Sequence, residues 1–392
     1  MDGNMSRPMG QVTSSDMRLG IIAGGQLGKM LILEAAEWGV DCSVLDSDPQ
    51  GPAAGIASHF VKGDLRSFED VLAFGRTVDV LTLEIEHVNA DAIEQLAQEG
   101  VTVRPSPAVL RLVQDKGLQK CFYRDHGVPT APFRLFESAT SLRKAVHRGE
   151  CPLPFVQKLC RGGYDGRGVA VIRHQDDLCR LLDGASLVED LVDLEAEIAV
   201  IAARNPAGEV RCFPPVGMVF NAEANLVERL VAPAELPAEK ADAAVGIASE
   251  LASAIGMEGV LAVEFFLDRS GNLLVNEIAP RPHNSGHHTI EANVTSQYEQ
   301  HLRGVLDLPL GSVDMLAPAV MINLLGEAGE CGRVRYEGFA ESLALDGVSI
   351  HLYGKKETRP FRKMGHVTIL GKTIADACRT ADIVRERLKV RA

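Results

Sequence analysis

The stretch that decides the fold runs from residue 260 to residue 288 and reads VLAVEFFLDRSGNLLVNEIAPRPHNSGHH. Two apolar segments flank Ser270 and Gly271, a pattern that predicts a β-hairpin with its turn at those two residues. With the turn centred there, residue 269 faces 272, residue 267 faces 274, and Glu264 faces Glu277. Directly opposed residues have Cβ atoms about 5 Å apart. The sequence therefore predicts two carboxylates side by side.

The predicted carboxylate pair indicates a cation, because two adjacent like charges repel and a buried unpaired carboxylate is costly. Mg²⁺ takes carboxylate oxygens and leaves coordination positions for phosphate. Glu264 lies within Val-Glu-Phe-Phe, where burial is expected. Asn276 would add an oxygen ligand only if the backbone turned its side chain toward the same side. The alternative is a solvated strand pair whose acidic residues happen to align.

Length and composition are those of a globular protein of two or three domains, with 392 residues, 46% hydrophobic and 24% charged. The net charge of −13 argues against nucleic-acid binding as the main activity. No apolar run reaches the roughly 18 residues that a membrane span needs. Residues 1–16 are polar and lack the apolar segment of a secretory signal, so we expect a disordered leader there.

The eight cysteines show no zinc-ligand spacing and no Cys-x-x-Cys pair. Thiols scattered along a chain of this length are typical of a reducing cytoplasm. We expect them to fill core positions rather than act as nucleophiles.

Residues 17–115 alternate strand and helix, which predicts a parallel α/β domain. Its glycine turn, Gly24 to Gly28, lacks the first glycine of a dinucleotide fingerprint because residue 23 is Ala. Ala23 and Met30 also exclude a Walker A loop. Two interpretations remain: backbone N–H groups that hold an anion at a helix N-terminus, or a tight strand–helix connection.

A helix is predicted from Pro105 to about His126, and the second domain is expected over residues 116–312, with its boundary near residue 115 within that helix. Its flap subdomain, about residues 116–188, contains two predicted strands around the loop Arg161 to Gly168, which has four glycines and two arginines. Such a loop allows close backbone approach and supplies positive charge, so it is typical of a flap over a nucleotide triphosphate. A mobile surface hairpin is the alternative.

The last domain, residues 313–392, is predicted to be small and β-rich. Its segment Tyr353 to His366 carries five basic residues and one acid in a chain with an acidic excess. This segment is the best candidate for binding the phosphate of a second substrate, and a solvated basic loop is the alternative.

Together, these parts predict an ATP-dependent ligase without a Walker loop, acting by positioning and charge neutralisation. The chain also resembles the ATP-grasp enzymes, and among them the 5-(carboxyamino)imidazole ribonucleotide synthases of bacterial and fungal purine biosynthesis. The resemblance covers about residues 18–370 and is carried by motifs in family order: Gly24–Met30, Glu84–Glu86, Gln114–Lys116, Gly162–Gly168, Val263–Phe266, Asn276–His287, Thr295–Gln297, Met321–Gly326, Tyr353–Lys355 and Arg362–His366.

The resemblance implies an ATP-grasp fold, with an N-terminal parallel α/β domain of the pre-ATP-grasp, Rossmann-like type and a small C-terminal β-rich domain. It also implies that ATP, bicarbonate and 5-aminoimidazole ribonucleotide react through carboxyphosphate to give the N-carboxylated ribonucleotide, ADP and phosphate. Two Mg²⁺ ions, a cytoplasmic homodimer and hand-off of the product to a downstream mutase are further expectations from the family.

Site residues follow from the same resemblance. The ATP site would comprise Lys116, Lys158, Gly163, Tyr164, Asp165, Gly166, Arg167, Gly168, Glu189, Asp190, Leu191, Val192, Glu197, Asn276 and Glu277. The metal carboxylates would be Glu264 and Glu277. Bicarbonate and carboxyphosphate would contact the catalytic residues Arg281, His283, Asn284, Tyr164, Arg167 and Lys355. The ribonucleotide would contact Gln26, Leu27, Glu84, Glu86, Asn284, Lys355, Arg362 and Lys363.

Five positions depart from the family pattern: Lys116 for Arg, Arg167 for Lys, Ala222 for His, Phe361 for Gly and His87 for Asn. None removes a metal carboxylate, so activity is expected. The alternatives are a formate-dependent glycinamide ribonucleotide transformylase of the same fold and a nucleotide-binding regulator without turnover. Glu264, Glu277, Arg281 and Lys355 are all present, which argues against the regulator.

Overall fold

The computed structural model describes residues 17–163, 168–221 and 226–392, with the side chains of residues 221 and 226 excluded. The predicted leader at residues 1–16 and the flap positions Tyr164, Asp165, Gly166 and Arg167 lie outside this description, as does Ala222. None of the helices in the described part of the chain combines the length and the apolar character that a bilayer crossing requires.

An N-terminal sheet of five parallel strands confirms the predicted α/β unit. Its strands and helices are β1 Arg18–Ile22, α1 Gln26–Glu37, β2 Asp41–Asp46, β3 His59–Lys62, α2 Phe68–Gly75, β4 Val80–Leu83, α3 Ala90–Gln98, β5 Thr102–Val103 and α4 Pro107–Val113. The spatial order is β3-β2-β1-β4-β5, so β1 is central and is buried along nearly its whole length. The carboxyl ends of β1 and β4 carry the glycine turn and the Glu84–Glu86 segment toward the same edge of the sheet.

The single helix predicted from Pro105 to His126 is wrong, because two helices occupy that range. The helix α4 ends at Val113, and α5, Lys116–Asp125, begins after Asp115. The Asp115 carboxylate accepts hydrogen bonds from the backbone N–H groups of Gly117 and Leu118, an N-cap that starts a new helix at Lys116.

A four-stranded antiparallel sheet in the order β6-β9-β7-β8 follows α5. Its elements are β6 Phe133–Phe136, α6 Ala139–His147, β7 Phe155–Leu159, β8 Val169–Ile172 and β9 Ser186–Asp190. The strands β7 and β8 pair with Lys158 opposite Val169, which confirms the predicted hairpin around the glycine-rich loop.

The rest of the described chain contains two separate two-stranded sheets and one nine-stranded antiparallel sheet. Its central elements are β10 Leu194–Arg204, β11 Val210–Cys212, β12 Val216–Asn221, β13 Leu226–Ala232, α7 Ala238–Ala254, β14 Gly259–Asp268, β15 Leu273–Ala279, α8 Thr289–Ala292 and α9 Gln297–Val305. The C-terminal elements are β16 Ala319–Leu325, β17 Gly332–Arg333, β18 Arg335–Glu337, α10 Phe339–Leu343, β19 Val348–Leu352, β20 Glu357–Thr358, β21 Lys363–Leu370, α11 Ile374–Arg387 and β22 Lys389–Arg391. The two-stranded sheets are β17–β20 and β18–β22.

The C-terminal strands extend the central sheet, in the order β15-β14-β10-β12-β13-β16-β21-β19, with β11 paired to β10. The connection is the pairing of β13 with β16, from Arg229 opposite Ile322 to Ala232 opposite Ala319. One face of the sheet packs on α7 through residues such as Ala248, Val263 and Phe265, all fully buried. The predicted domain boundaries at residues 115 and 312 stay predictions.

Candidate active site

The hairpin of β14 and β15 places Glu264 opposite Glu277, as the sequence predicts. The route to this pairing differs from the expectation, because residue 267 faces 273 rather than 274. The turn is one residue longer than expected, with three residues, 269–271, between Asp268 and Asn272: the Asn272 backbone N–H donates to the Asp268 carboxylate at 2.8 Å, and the Asp268 N–H donates to the Asn272 carbonyl at 3.0 Å. A β-bulge between the turn and the glutamates then restores the predicted register.

Asn276 is the extra residue at this bulge, and its side chain faces the same cavity as Glu277. Its Oδ1 accepts a hydrogen bond from Lys158 Nζ at 2.7 Å. In a regular strand, successive side chains point to opposite faces, so the bulge is what brings both residues to one side. Asn276 was expected to be a further oxygen ligand only if its side chain turned toward the side of the carboxylates, and the bulge turns it that way.

The two facing carboxylates lie in different electrostatic surroundings. Burial, together with the adjacent Glu277 carboxylate, raises the pKa of Glu264. Enclosure within the cleft alone would raise the pKa of Glu277, but the ammonium groups of Lys116 and Lys158 lower it. Lys116 forms an ion pair with Glu277 directly. The Glu264 and Glu277 carboxylates thus repel each other, and a bound cation would relieve this repulsion.

The residues present fit a Mg²⁺ ion that shares its coordination with phosphate. Among the described residues, no group of three or more His, Cys, Asp or Glu side chains is placed to hold a metal ion. Two carboxylates with Asn276 beside them suit Mg²⁺, which is usually held by one or two carboxylates and completes its shell with phosphate and water.

A cavity of about 870 Å³ lies between the sheets and contains most of the predicted site residues. Those lining it are Gln26, Leu27, Glu84, Glu86, Lys116, Lys158, Gly163, Glu189, Asp190, Leu191, Val192, Glu197, Glu264, Asn276, Glu277, Arg281, His283, Asn284 and Lys363. Of the predicted residues within the described ranges, three are not among the lining residues: Gly168, Lys355 and Arg362. Residues from all three predicted domains meet in this cavity.

The predicted adenine-binding segment, Glu189 to Val192, joins β9 to β10 and lines one end of the cavity. The Glu189 carboxylate is buried and forms an ion pair with Lys158 at 2.5 Å. Glu197 lies further along, on β10, where burial raises its pKa to about 7.

Sequence analysis missed Lys120, whose Nζ lies 2.5 Å from the same Glu189 carboxylate. The signal that could have found it is its spacing, because Lys120 lies four residues after Lys116 and so on the same face of α5. Its acidic partner is 69 residues away in the chain, too far for a sequence pattern to identify.

At the other end of the cavity, Arg281 and Glu86 form a two-point ion pair, with Nε and Nη2 donating at 2.6 and 3.1 Å. Burial would raise the pKa of Glu86, but the Arg281 guanidinium holds it at about 2. The pair connects the N-terminal sheet to the segment after β15 and fixes the guanidinium plane.

His283 is a neutral imidazole with one defined tautomer. Burial lowers its pKa to about 3, and the nearby Arg281 and Lys363 charges lower it further. The backbone N–H of Ser285 donates to Nδ1, so the ring proton is on Nε2. That nitrogen lies 3.5 Å from the Glu264 carboxylate and faces the cavity.

Asn284 is held by Asn323 on β16, a residue to which sequence analysis gave no role. The two side-chain amides exchange hydrogen bonds of 2.9 and 3.1 Å, and Asn323 also donates to the Val227 carbonyl. This exchange fixes the Asn284 amide beside the cavity. The Met321–Gly326 motif was the signal, because it contains Asn323.

The N–H groups of the glycine turn hold an anion at the helix N-terminus, as one interpretation expected, and the anions are carboxylates of the protein itself. Glu84 accepts hydrogen bonds from the backbone N–H groups of Gly25, at 2.5 Å, and Gly28. The Gly24 N–H donates to Asp46 at 2.6 Å. A Cβ on residue 25 would collide with the Glu84 carboxylate, which explains the glycine there.

In the basic segment 353–366, only Lys363 lines the cavity. Lys355 Nζ donates to the Lys363 carbonyl at 2.8 Å, and Arg362 donates to the Glu357 carbonyl at 2.6 Å. Their roles as ribonucleotide contacts stay predictions, because neither side chain lines the cavity and backbone carbonyls of their own loop hold both. Phe361, in place of the family glycine, has a φ of 61°, where a side chain is strained.

Comparison with known proteins matches three family models in chain order. They are the ribonucleotide synthetase preATP-grasp domain at residues 17–114, the ATP-grasp domain at 121–298 and the phosphoribosylaminoimidazole carboxylase C-terminal domain at 319–380. The chain is 35% identical to the N5-carboxyaminoimidazole ribonucleotide synthase of Bacillus subtilis, covering 90% of this chain and 91% of that protein. It is 40% identical to the Mycobacterium tuberculosis enzyme of the same name, covering 93% and 86%.

The chain spans 64% of the length of the chloroplastic phosphoribosylaminoimidazole carboxylase of Vigna aconitifolia, at 35% identity and over 91% of its own length. Among solved structures, the N5-carboxyaminoimidazole ribonucleotide synthetase of Thermotoga maritima superposes with a TM-score of 0.88 at 40% identity, covering 96% of this chain and 99% of that one. The Aspergillus clavatus synthase in complex with ADP and 5-aminoimidazole ribonucleotide gives 0.85 at 32% identity, covering 94% and 98%. The chain belongs to the N5-carboxyaminoimidazole ribonucleotide synthase family, the ATP-dependent ligases of purine biosynthesis with an ATP-grasp fold.

Proposed function

We propose that this cleft carboxylates the exocyclic amine of 5-aminoimidazole ribonucleotide with bicarbonate and ATP. The observation that supports this most directly is one cavity lined by the facing Glu264 and Glu277, by Lys116 and Lys158, and by the Arg281–Asn284 segment. An electrophile made from ATP at the carboxylate pair would thus form next to the groups proposed to hold bicarbonate.

The reaction has two steps. A bicarbonate oxygen attacks the γ-phosphorus of ATP, and the bond between the γ-phosphorus and the β–γ bridging oxygen breaks, which gives carboxyphosphate and ADP. The ribonucleotide amine then forms a bond to the carboxyl carbon, while the carbon–oxygen bond to phosphate breaks and the amine loses a proton. Carboxyphosphate hydrolyses readily, so closure of the loop Gly163 to Gly168 over the site would exclude water.

ATP would lie along the cavity with its base against residues 189–192 and its phosphates toward Lys158 and Lys116. Glu197 would accept from the ribose hydroxyls, and the loop that includes Tyr164, Asp165, Gly166 and Arg167 would cover the triphosphate. Lys116 reaches Glu277 from α5, which puts its ammonium beside the proposed position of the terminal phosphates.

Glu264 and Glu277, with Asn276 beside them, would hold Mg²⁺ between the strands. The ion supplies charge neutralisation at the transferring phosphoryl group. Burial that raises the pKa of Glu264 supports this role, because the same carboxylate without a cation is electrostatically unfavourable.

Bicarbonate would lie between Arg281, His283 and Asn284, with Tyr164 and Arg167 approaching from the flap. Glu86 fixes the Arg281 guanidinium, and the neutral His283 donates from Nε2 rather than adding a charge. Asn323 keeps the Asn284 amide in one orientation. These contacts orient the nucleophile, which is the main way in which such an enzyme accelerates the reaction.

The ribonucleotide would occupy the end of the cavity lined by Gln26, Leu27 and Glu86, with its phosphate toward Lys363. Glu84 would act through the glycine turn that it holds. Lys355 and Arg362 would reach the phosphate only by releasing the loop carbonyls that they now contact.

The product carbamate loses CO₂ readily, so a downstream mutase would receive it soon after release. A homodimer is a further proposal, which analytical ultracentrifugation tests. Eight free cysteines support a reducing cytoplasm as the compartment.

The test is ADP release at constant ATP and Mg²⁺, with bicarbonate and aminoimidazole ribonucleotide added separately and together. We expect release that requires the ribonucleotide and rises with bicarbonate. Formate-dependent release with glycinamide ribonucleotide would overturn the assignment in favour of the transformylase. ATP binding without release under any combination would indicate a regulator.

A further inference from the structure

The Glu189 carboxylate lies between two ammonium groups. Lys120 Nζ is 2.5 Å from Oε1, and Lys158 Nζ is 2.5 Å from Oε2. The side chains of Lys120 and Glu189 are each 3% exposed, and that of Lys158 is 12% exposed. Two cations and one anion therefore share a space that nearly excludes water, with one positive charge in excess.

Lys120 does not line the cavity, whereas Lys158 does. The remaining contacts of Lys120 Nζ are to the Thr130 hydroxyl and, at 3.2 Å, to the Val275 carbonyl. Lys158, in contrast, also donates to Asn276 Oδ1 on the cavity wall. Lys120 thus contacts the surroundings of Lys158 and does not reach a nucleotide in the cavity.

Removing Lys120 would make the Lys158 ammonium harder to separate from the Glu189 carboxylate. In a buried site, a lone Lys158–Glu189 pair would be a closed ion pair with no net charge, and separating it would cost more than in water. With Lys120 present, Glu189 keeps a cationic partner when the Lys158 ammonium turns toward phosphate. Burial lowers the pKa of Lys120 to about 8, while Glu189 opposes this, so the ammonium form still dominates at neutral pH.

We propose that Lys120 is a positioning residue for ATP. It neutralises Glu189 from the side of the carboxylate away from the cavity, so that the Lys158 ammonium is able to bind the phosphates. This inference rests on the proposed nucleotide-binding function of the cleft. It assigns Glu189 a second property beside its place in the adenine-binding segment, as the carboxylate that competes with phosphate for the Lys158 ammonium unless Lys120 neutralises it.

The test is a double-mutant cycle of Lys120→Met and Glu189→Gln, with the dissociation constants of ATP and adenosine measured for each protein by calorimetry. Lys120→Met should weaken ATP about tenfold, roughly one charge-assisted hydrogen bond, and leave adenosine within about twofold. Adding Glu189→Gln should restore most of the ATP affinity, because Lys158 then has no carboxylate to hold it. A packing role for Lys120 would not predict this rescue.

The matched control is Lys240→Met, which removes a half-buried ammonium that donates to the Gly271 carbonyl, away from the cavity. It should leave both affinities unchanged. Equal losses for ATP and adenosine, or additive losses in the double variant, would overturn the proposal. If Lys120→Met does not fold, Lys120→Arg and Lys120→Gln decide: the proposal requires Lys120→Arg to keep the ATP affinity and Lys120→Gln to lose it, and equal ATP affinities for the two variants would overturn it.

A failure of the nucleotide-binding role of the cleft would give a different result, because the unmodified chain would then bind neither ATP nor adenosine. ATP binding by the unmodified chain with no ATP-specific loss in Lys120→Met would overturn the role of Lys120 alone.

Discussion

Two carboxylate sites in this molecule have different neighbours, although burial raises the pKa of both carboxyl groups. Glu84 accepts hydrogen bonds from two backbone N–H groups of the glycine turn, while Glu264 faces a second carboxylate across a strand pair. Both side chains are largely buried, and both lie next to the same cavity. The difference is that Glu84 has complementary donors from the backbone, whereas Glu264 has like charge beside it. The first arrangement stabilises a turn, and the second creates a site for a cation.

The same comparison explains why a glycine turn next to a helix N-terminus is an ambiguous pattern. Its N–H groups can bind an external phosphate or an internal carboxylate, and residues 24–28 give no indication of which. The internal partner is Glu84, which lies 59 positions from Gly25.

The largest effect is expected at the repelling pair. Glu277→Gln removes a metal carboxylate and the partner of Lys116, so kcat/KM for ADP release should fall at least about 10²–10³-fold. Steady-state kinetics with both co-substrates measures it. The control is Glu195→Gln, an exposed residue on β10, which should change little. Near-normal turnover in Glu277→Gln would contradict the assignment of the metal site.

At the satisfied site, Glu84→Gln should lower stability by about 2–3 kcal/mol, because one of the two N–H groups loses a charged acceptor and meets an amide donor. Urea denaturation measures the change. The exposed Glu37→Gln on α1 serves as control and should lie within about 0.5 kcal/mol of the unmodified chain. A change as small as the control would show that Glu84 does not hold the turn.

Glu264→Gln should have the opposite sign, raising stability by about 1 kcal/mol in metal-free buffer, because it relieves repulsion between buried carboxylates. The pKa of Glu264 is higher in the folded chain than in the unfolded chain. Below the unfolded pKa the carboxyl group is protonated in both states, so Glu264 then does not lower the free energy of unfolding. The destabilisation by Glu264 grows as the pH rises from the unfolded pKa to the folded pKa, and it is complete above the folded pKa. The gain should therefore be small at pH 4 and largest above neutral pH.

Adding Mg²⁺ with ADP should reverse that order, stabilising the unmodified chain more than Glu264→Gln. Thermal unfolding with and without the ligands measures both parts. A destabilised Glu264→Gln in metal-free buffer would mean that the two sites do not differ as described.

The smallest effect is expected for a substitution outside both carboxylate sites, and it gives a reference for the stability changes at those sites. Phe361→Gly relieves a left-handed backbone conformation at an exposed side chain, so stability should rise by about 0.5–1 kcal/mol. Chemical denaturation measures the gain, and kcat should stay unchanged. Phe361→Ala, which keeps the Cβ, is the matched control and should give no such gain.

Short-range patterns predicted the elements well, including the facing glutamates, the flap strands and the parallel N-terminal sheet. The hairpin register shows their limit, because the longer turn and the bulge are two opposite one-residue shifts that cancel at Glu264 and Glu277. The strand β3 was missed because His59–Lys62 is largely exposed and carries no apolar alternation.

Residue roles that depend on distant partners could not be predicted. Lys120 acquires its role from Glu189, Asn284 its orientation from Asn323, and Glu84 its place from Gly25 and Gly28. Each pair is brought together only when segments far apart in the sequence meet in the fold. Lys355 and Arg362 illustrate the reverse, since their charges suggested a shared phosphate site, but carbonyls of their own loop hold them.

The central claim is that this cleft makes carboxyphosphate from bicarbonate and ATP. The most direct measurement is the transfer of ¹⁸O from labelled bicarbonate to inorganic phosphate during turnover with aminoimidazole ribonucleotide, followed by mass spectrometry. The mechanism predicts one bicarbonate oxygen in each phosphate released, because that oxygen forms the new bond to the γ-phosphorus. Phosphate that takes its oxygen from water instead would contradict the claim.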